Sequence, residues 1–217
     1  MNNESYLEES SLQENSLQEN SVHEISQPSM ASMLRGSIGL SIVALGVCGF
    51  LYSSAATGLG QLIFPEQANG SLIEQNGKII ASRLIAQPFT SAQYFHPRPS
   101  AANYDPMAMA GSNMALTNPE LANVIDQRTV AAMTNYQVSR SQIPSDLVTA
   151  SGSGMDPDIS TQSALIQVKS VAAARQISEQ QVLSLVQQHT KPATFGVMGK
   201  ARVNVLELNL SLDALNK

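Results

Sequence analysis

The chain has 217 residues, 13% of them charged and 43% hydrophobic, with a net charge of −5 and a single cysteine, Cys48. The acid is concentrated at one end: residues 1–34 hold Glu4, Glu8, Glu9, Glu14, Glu19 and Glu24 and no lysine or arginine, while the twelve basic and eleven acidic residues that follow nearly cancel. So balanced a remainder argues against nucleic-acid binding, which rewards clustered positive charge, and one cysteine excludes a disulfide-stapled fold.

Residues 1–34 read as a disordered acidic tail. Ser, Gln, Asn and Glu dominate it, and Ser11-Leu12-Gln13-Glu14-Asn15 is repeated at once as Ser16-Leu17-Gln18-Glu19-Asn20. Too little apolar surface is present to offset the entropy of ordering.

From Gly36 to Pro65 there is no Asp, Glu, Lys, Arg or His. A bilayer core needs roughly 20 apolar residues in helical form, because backbone amides there are satisfied only within the segment. The stretch therefore predicts one transmembrane helix over residues 35–62. Gly39, Gly46 and Ser53 recur every seven residues, with Gly49 and Ala56 three positions further on. On a helix such small residues form a seam along which a second helix approaches closely. The rival reading is a cleavable signal peptide, with Arg35 as its positive flank, Ile38–Leu51 as its apolar region and Ser54-Ala55-Ala56 as its cleavage site. Arg35 on one side and Lys78 and Arg83 on the other give little orientation by charge.

Residues 66–217 predict one compact α+β domain. Asn118-Pro119-Glu120 starts a helix with a capping side chain, a proline in the first turn and an acid near the positive dipole end; Leu121, Val124, Ile125 and Ala132 share its face. Leu147-Val148 has a strand-like character and leads through Ser151-Gly152-Ser153-Gly154 to a helix cap near Ser160. Ser178-Glu179-Gln180-Gln181 matches a capping box, and that helix runs to Lys191-Pro192 with His189 in its last turn, facing the negative dipole end. Leu206, Leu208, Leu210 and Leu212 alternate with other residues as a half-buried strand would, with a bulge or strand end near Val205–Leu206.

Enzymatic signatures are sparse. Gly199-Lys200 lacks the rest of a phosphate loop, Ser153 is out of frame for a nucleophile elbow, and His23, His96 and His189 have no ligand-spaced neighbour, so no metal site is assigned. His96, between Phe95 and Pro97, reads as a packed loop residue. A Ser/Gly turn entering a helix can present free amides to an anion, or can be a tight structural connection. Three classes stay open on these residues: an anchored interaction subunit, an anchored enzyme using Ser153 or His96, and a ligand-binding module.

Taken in order, Asn69-Gly70-Ser71, Tyr94-Phe95-His96-x-Arg98-Pro99-Ser100, Gly111-Ser112-Asn113, Thr117-Asn118-Pro119, Asp146 to Ser160, Gln188-His189-Thr190 and Arg202-Val203-Asn204-Val205-Leu206 resemble the C subunit of the bacterial Kdp potassium-transporting P-type ATPases, the KdpC family. The likeness runs from Arg35 to Leu215 and omits the acidic tail. Pro97, where many relatives have glycine, and Met107-Ala108-Met109 depart from the pattern. The resemblance implies a non-catalytic accessory subunit with its amino terminus in the cytoplasm and its domain outside the inner membrane. Its partners would be a channel-like potassium subunit, a P-type ATP-hydrolysing subunit and a small stabilising subunit. It further implies a catalytic chaperone that raises the hydrolytic subunit's ATP affinity, with Ser151, Gly152, Ser153 and Gly154 as the family's candidate nucleotide contact and ATP as its candidate ligand. A domain outside the membrane does not meet cytoplasmic ATP, so such coupling more simply runs through the shared complex.

Overall fold

The structure is a computed structural model and describes residues 29–215. The chain divides into two compact units between Leu62 and Ile63.

The first unit is one long helix, α1, Met30–Ile63, long and apolar enough to cross a membrane. Ser29 caps it by accepting the Ser32 amide at 3.3 Å. None of its side chains is buried by protein, and lipid is the surrounding that suits a helix apolar on every side. It begins at Met30 rather than Arg35, so residues 30–34, read as tail, are helical; the expectation of disorder over 1–28 lies outside the described residues. Leu45–Tyr52 is wound as a π-helix. The heptad seam presumes an unbroken α-helix, and the wider turn re-aims Ser53 and Ala56 around the axis relative to Gly39. The Ser53 hydroxyl is turned back onto the carbonyls of Gly49 and Phe50, a local bond that keeps it on its own helix. Phe64, at φ −131° and ψ 62°, leaves the helical region ahead of Pro65, as steric crowding by a following proline requires.

The second unit mixes helix and sheet. A short helix α2 (Pro65–Ala68) precedes strands β1 (Leu72–Gln75) and β2 (Lys78–Ser82), which pair antiparallel around Asn76-Gly77. Both turn residues have positive φ, 54° and 73°, the backbone a two-residue hairpin turn needs. Helix α3 (Pro119–Tyr136) starts where the sequence predicts, with the Asn118 side chain accepting from the Glu120 amide at 2.9 Å. A one-turn helix α4 (Ser145–Val148) follows; Leu147 and Val148 are buried helical residues, not the start of a strand.

Strand β3 (Asp158–Ser160) runs into helix α5 (Thr161–Arg175), capped by Ser160 as expected. Helix α6 (Glu179–His189) has both halves of its capping box, between Ser178 and Gln181. Strands β4 (Thr190–Lys191) and β5 (Arg202–Asn204) complete an antiparallel sheet of order β3-β5-β4. The last helix, α7 (Val205–Ala214), corrects the expected strand through Leu206, Leu208, Leu210 and Leu212. The strand ends at Asn204, whose side chain accepts the Glu207 amide at 3.1 Å and caps a helix instead. Val205, Leu208, Asn209 and Leu212 then share a buried stripe at helical spacing.

Phe95, Ile159, Val168, Val171, Val182, Val186, Val203, Leu208 and Leu212 form one core between α5, α6, α7 and the sheet. Phe95 comes from a segment with no regular structure, and two buried amides zip it in place. Asn209 accepts the Phe95 N–H at 2.8 Å and donates to its carbonyl at 3.0 Å. Gln167 accepts the His96 N–H at 2.8 Å and donates to its carbonyl at 3.2 Å. Each side chain thus stands in for a neighbouring strand, satisfying backbone groups that burial would otherwise leave unpaired.

Candidate functional site

Residues between Ser145 and Ser160, together with Arg98 and with Gly199, Lys200, Ala201 and Arg202, line a groove of about 510 Å³. At its floor, Asp146 in α4 accepts three bonds: from the Ser160 amide at 2.7 Å, the Ser160 hydroxyl at 3.0 Å and the Ser163 hydroxyl at 2.8 Å. This carboxylate sits at the amino-terminal end of α5, where the free amides favour negative charge. Asp146 therefore ties α4 to the start of α5.

Two ion pairs line the same groove. Arg98 reaches Asp156 at 3.0 Å and donates to the Ala150 carbonyl at 3.4 Å; Asp156 also accepts the Asp158 amide at 3.1 Å. Arg202 on β5 meets Asp158 on β3 at 3.1 Å. Burial raises the Asp158 carboxyl above its ordinary value; Arg202 opposes the rise, the neighbouring Asp156 adds to it, and a bond with Asn204 and the charge of Lys191 lower it. The groove thus holds two opposed ion pairs, and Asp146 and Lys200, which line it as well, form none among the described residues.

The turn Ser151-Gly152-Ser153-Gly154 lies beside it. Ser151 is buried, and its amide donates to the Pro99 carbonyl at 3.0 Å. Ser153 is exposed and its hydroxyl accepts the Met155 amide at 3.1 Å. Gly154 is at φ 72°, and a Cβ there would lie 2.7 Å from the Ala110 carbonyl oxygen; one on Gly111 would lie 2.9 Å from that of Gly152. Two backbones meet at glycine contact, and only Gly152 and Ser153 face solvent. The Ser151 hydroxyl and the Arg98 Nε are both buried and have no hydrogen-bond partner among the described residues.

His96 packs as the sequence predicts: Nδ1 lies 3.1 Å from the Tyr136 hydroxyl and Nε2 3.3 Å from the Ser91 carbonyl. Burial pushes the Tyr136 phenol up to about 12, so it remains a neutral hydrogen-bonding group. No hydrogen bond joins His96 to Ser153 among the described residues. Nor, among them, do three His, Cys, Asp or Glu side chains gather as a metal would require. His189 is half-buried at the end of α6. Burial lowers its imidazole below the ordinary value, with Glu207 opposing and Lys191 reinforcing. Desolvation is the largest of these influences, against the direction that a position at a helix end implies.

Sequence reasoning missed the residues that hold this region together. Asp146 was read only as the start of a motif, and Gln167, Arg175 and Asn209 were not singled out. Arg175 is buried below Tyr94, 4.8 Å from its ring, and pairs with Asp213 at 2.7 Å. The one available signal was Asn209, a polar residue set among leucines.

Residues 34–214 match the protein family described as KdpC: K+-transporting ATPase, c chain. The chain is 49% identical over 190 residues to a protein of Gemmatimonas aurantiaca, covering 86% of this chain and 95% of that one. It is 48% identical over 190 residues to one of an Enterobacter species, covering 86% and 99%, and 46% identical over 180 residues to one of Xanthomonas oryzae pv. oryzae, covering 83% and 86%. All three bear the name Potassium-transporting ATPase KdpC subunit. A match that takes in both α1 and the groove-bearing domain, at nearly the full length of its relatives, places this chain in the KdpC family of K+-transporting ATPase c chains.

Proposed function

We propose that this chain is a non-catalytic accessory subunit of a high-affinity, ATP-driven potassium uptake complex. One observation carries the reading: the family match extends unbroken over residues 34–214, and relatives nearly half identical to this chain are named as subunits of a potassium-transporting ATPase. In this reading α1 anchors the chain in the inner membrane, with the amino terminus in the cytoplasm and the residues after Pro65 outside. The partners are the channel-like potassium subunit, the ATP-hydrolysing subunit and the small stabilising subunit. The domain caps the potassium entrance and holds the assembly together.

The glycine seam of α1 docks on the channel-like subunit. Its support is the bare helix surface: a Cβ on Gly39 or Gly46 would meet nothing, and one on Gly49 only Leu45, at 4.0 Å. Close approach by another helix is the use to which such surfaces are put in lipid. His96 bonds with Tyr136 and Ser91, and Ser153 with the Met155 amide. The subunit raises ATP affinity by binding one state of the complex better than another, a coupling that needs no nucleotide at Ser151–Gly154.

The test is Gly46→Leu combined with Gly49→Leu in the purified complex. Leucine fits α1 itself, so lost co-purification reports on a partner; retention at the wild-type level overturns the seam. Potassium-stimulated ATPase measured with and without the chain addresses the chaperone role. The apparent KM for ATP rises on its removal if the role is real, and an unchanged KM overturns it.

A further inference from the structure

Between β4 and β5 the chain projects an apolar tip that none of the described residues covers. Phe195 is 88% exposed, Val197 82% and Met198 62%. The tip is nevertheless a built turn. Thr194 and Met198 exchange backbone bonds at 2.8 and 2.9 Å, and the Gly196 amide donates to the Ala193 carbonyl at 2.9 Å. Phe195, Gly196 and Gly199 hold positive φ of 53°, 77° and 81°. A Phe held outward on an ordered turn, by a residue in a strained backbone region, is costly in water and implies an apolar destination.

The charge around the tip says which destination. Residues 190–206 contain Lys191, Lys200 and Arg202 and no acid, in a chain whose net charge is negative. Lys191 and Arg202 are partly neutralised by Glu207 and Asp158, whereas Lys200 makes no ion pair among the described residues, although it lines the groove that also holds Asp146, Asp156 and Asp158. An apolar point with lysines at its base matches a bilayer interface: side chains enter the acyl boundary while ammonium groups stay among anionic headgroups. Lysine is depleted at the cores of protein–protein interfaces, which weighs against a pocket on another protein. The same chain carries an apolar helix long enough to span a bilayer, so tethering gives that surface a high effective concentration.

We infer that the Phe195-Gly196-Val197-Met198 tip seats in the surface of an anionic lipid bilayer, a second and reversible membrane contact for this chain. The inference rests on α1 being embedded in the same membrane. The chain has no tryptophan, so Phe195→Trp makes the tip its only indole reporter, and Val197→Trp supplies an independent second one. Each full-length variant is reconstituted alone into nanodiscs of phosphatidylcholine with phosphatidylglycerol, or of phosphatidylcholine only. Expected are co-migration with the discs, emission shifted to shorter wavelength, and quenching by lipids brominated along the acyl chain. Adding Lys200→Gln then lowers the ratio of seated to free tip about fivefold in the anionic discs, as removal of one lysine from such a surface implies. Co-migration with water-exposed, unquenched emission from both reporters overturns the tip contact alone, and so does emission that shifts only when other subunits of the complex are added. Failure to co-migrate overturns the anchor reading and this inference with it.

Discussion

Gly154 faces the carbonyl oxygen of Ala110 so closely that a Cβ would lie 2.7 Å away, and its φ of 72° is itself unfavourable to side chains. Clash and backbone strain act together here. Gly154→Ala is expected to destabilise by about 2–4 kcal/mol, lowering Tm by roughly 5–10 °C for a domain of this size. Two residues earlier, a Cβ on Gly152 meets nothing, and Gly152→Ala is expected to stay within about 0.5 kcal/mol of wild type. Thermal unfolding of the two full-length variants checks the contrast; equal losses would show that the glycine contact is not what holds the turn.

Asp146 accepts from the Ser160 amide and from the hydroxyls of Ser160 and Ser163. Asp146→Ala strands those donors at the start of α5 and is expected to cost about 2–3 kcal/mol in urea unfolding. Ser163→Ala removes one of the three and is expected to cost about 1 kcal/mol.

Asn209→Leu keeps the branch at Cγ, in a larger side chain, while stripping the Phe95 N–H and carbonyl of their partner. Both groups are then buried and unsatisfied, and a loss of about 2–4 kcal/mol is expected despite the more apolar side chain. An unchanged unfolding midpoint would mean that backbone or water replaces the amide.

His189 gives a pH dependence of definite sign. Its folded-state value lies below the ordinary 6.5, so on acidification through 6.5 the unfolded chain takes up a proton before the folded one does. Stability contributed by the neutral imidazole is full above that value and is lost as the pH falls toward the folded-state value. Urea midpoints of wild type and His189→Gln, compared between about pH 7.5 and about pH 5.5, are expected to show a steeper acid-side fall for wild type. A steeper fall in the variant would mean that the helix-end attraction dominates.

What could be read from the residues was local. The Asn118, Ser160 and Ser178 caps each depend on a side chain bonding within a few positions, and all three are found. The leucines of α7 misled because their alternation also fits a strand; the deciding information was Asn204 capping at Glu207, together with a stripe that includes the polar Asn209. Asn76-Gly77 is a hairpin signal, but Lys78-Ile79-Ile80-Ala81-Ser82 beside it lacks strict alternation. The π-helical stretch in α1 left no mark in the heptad spacing of its small residues.

By itself the sequence determined a long apolar helix with no charge after Arg35, because hydropathy and the absence of charge act residue by residue, and the helix starts downstream of it, because capping is short-range. Only the tertiary structure decided that Asp146 ties α4 to α5, that Gln167 and Asn209 clasp the chain around Phe95, and that Ser151–Gly154 meets the backbone at Ala110–Gly111. Asn209 and Phe95 lie 114 positions apart. Contacts at such range exist only once the core has closed, since no pattern along the chain records which buried amide will find which unpaired backbone group.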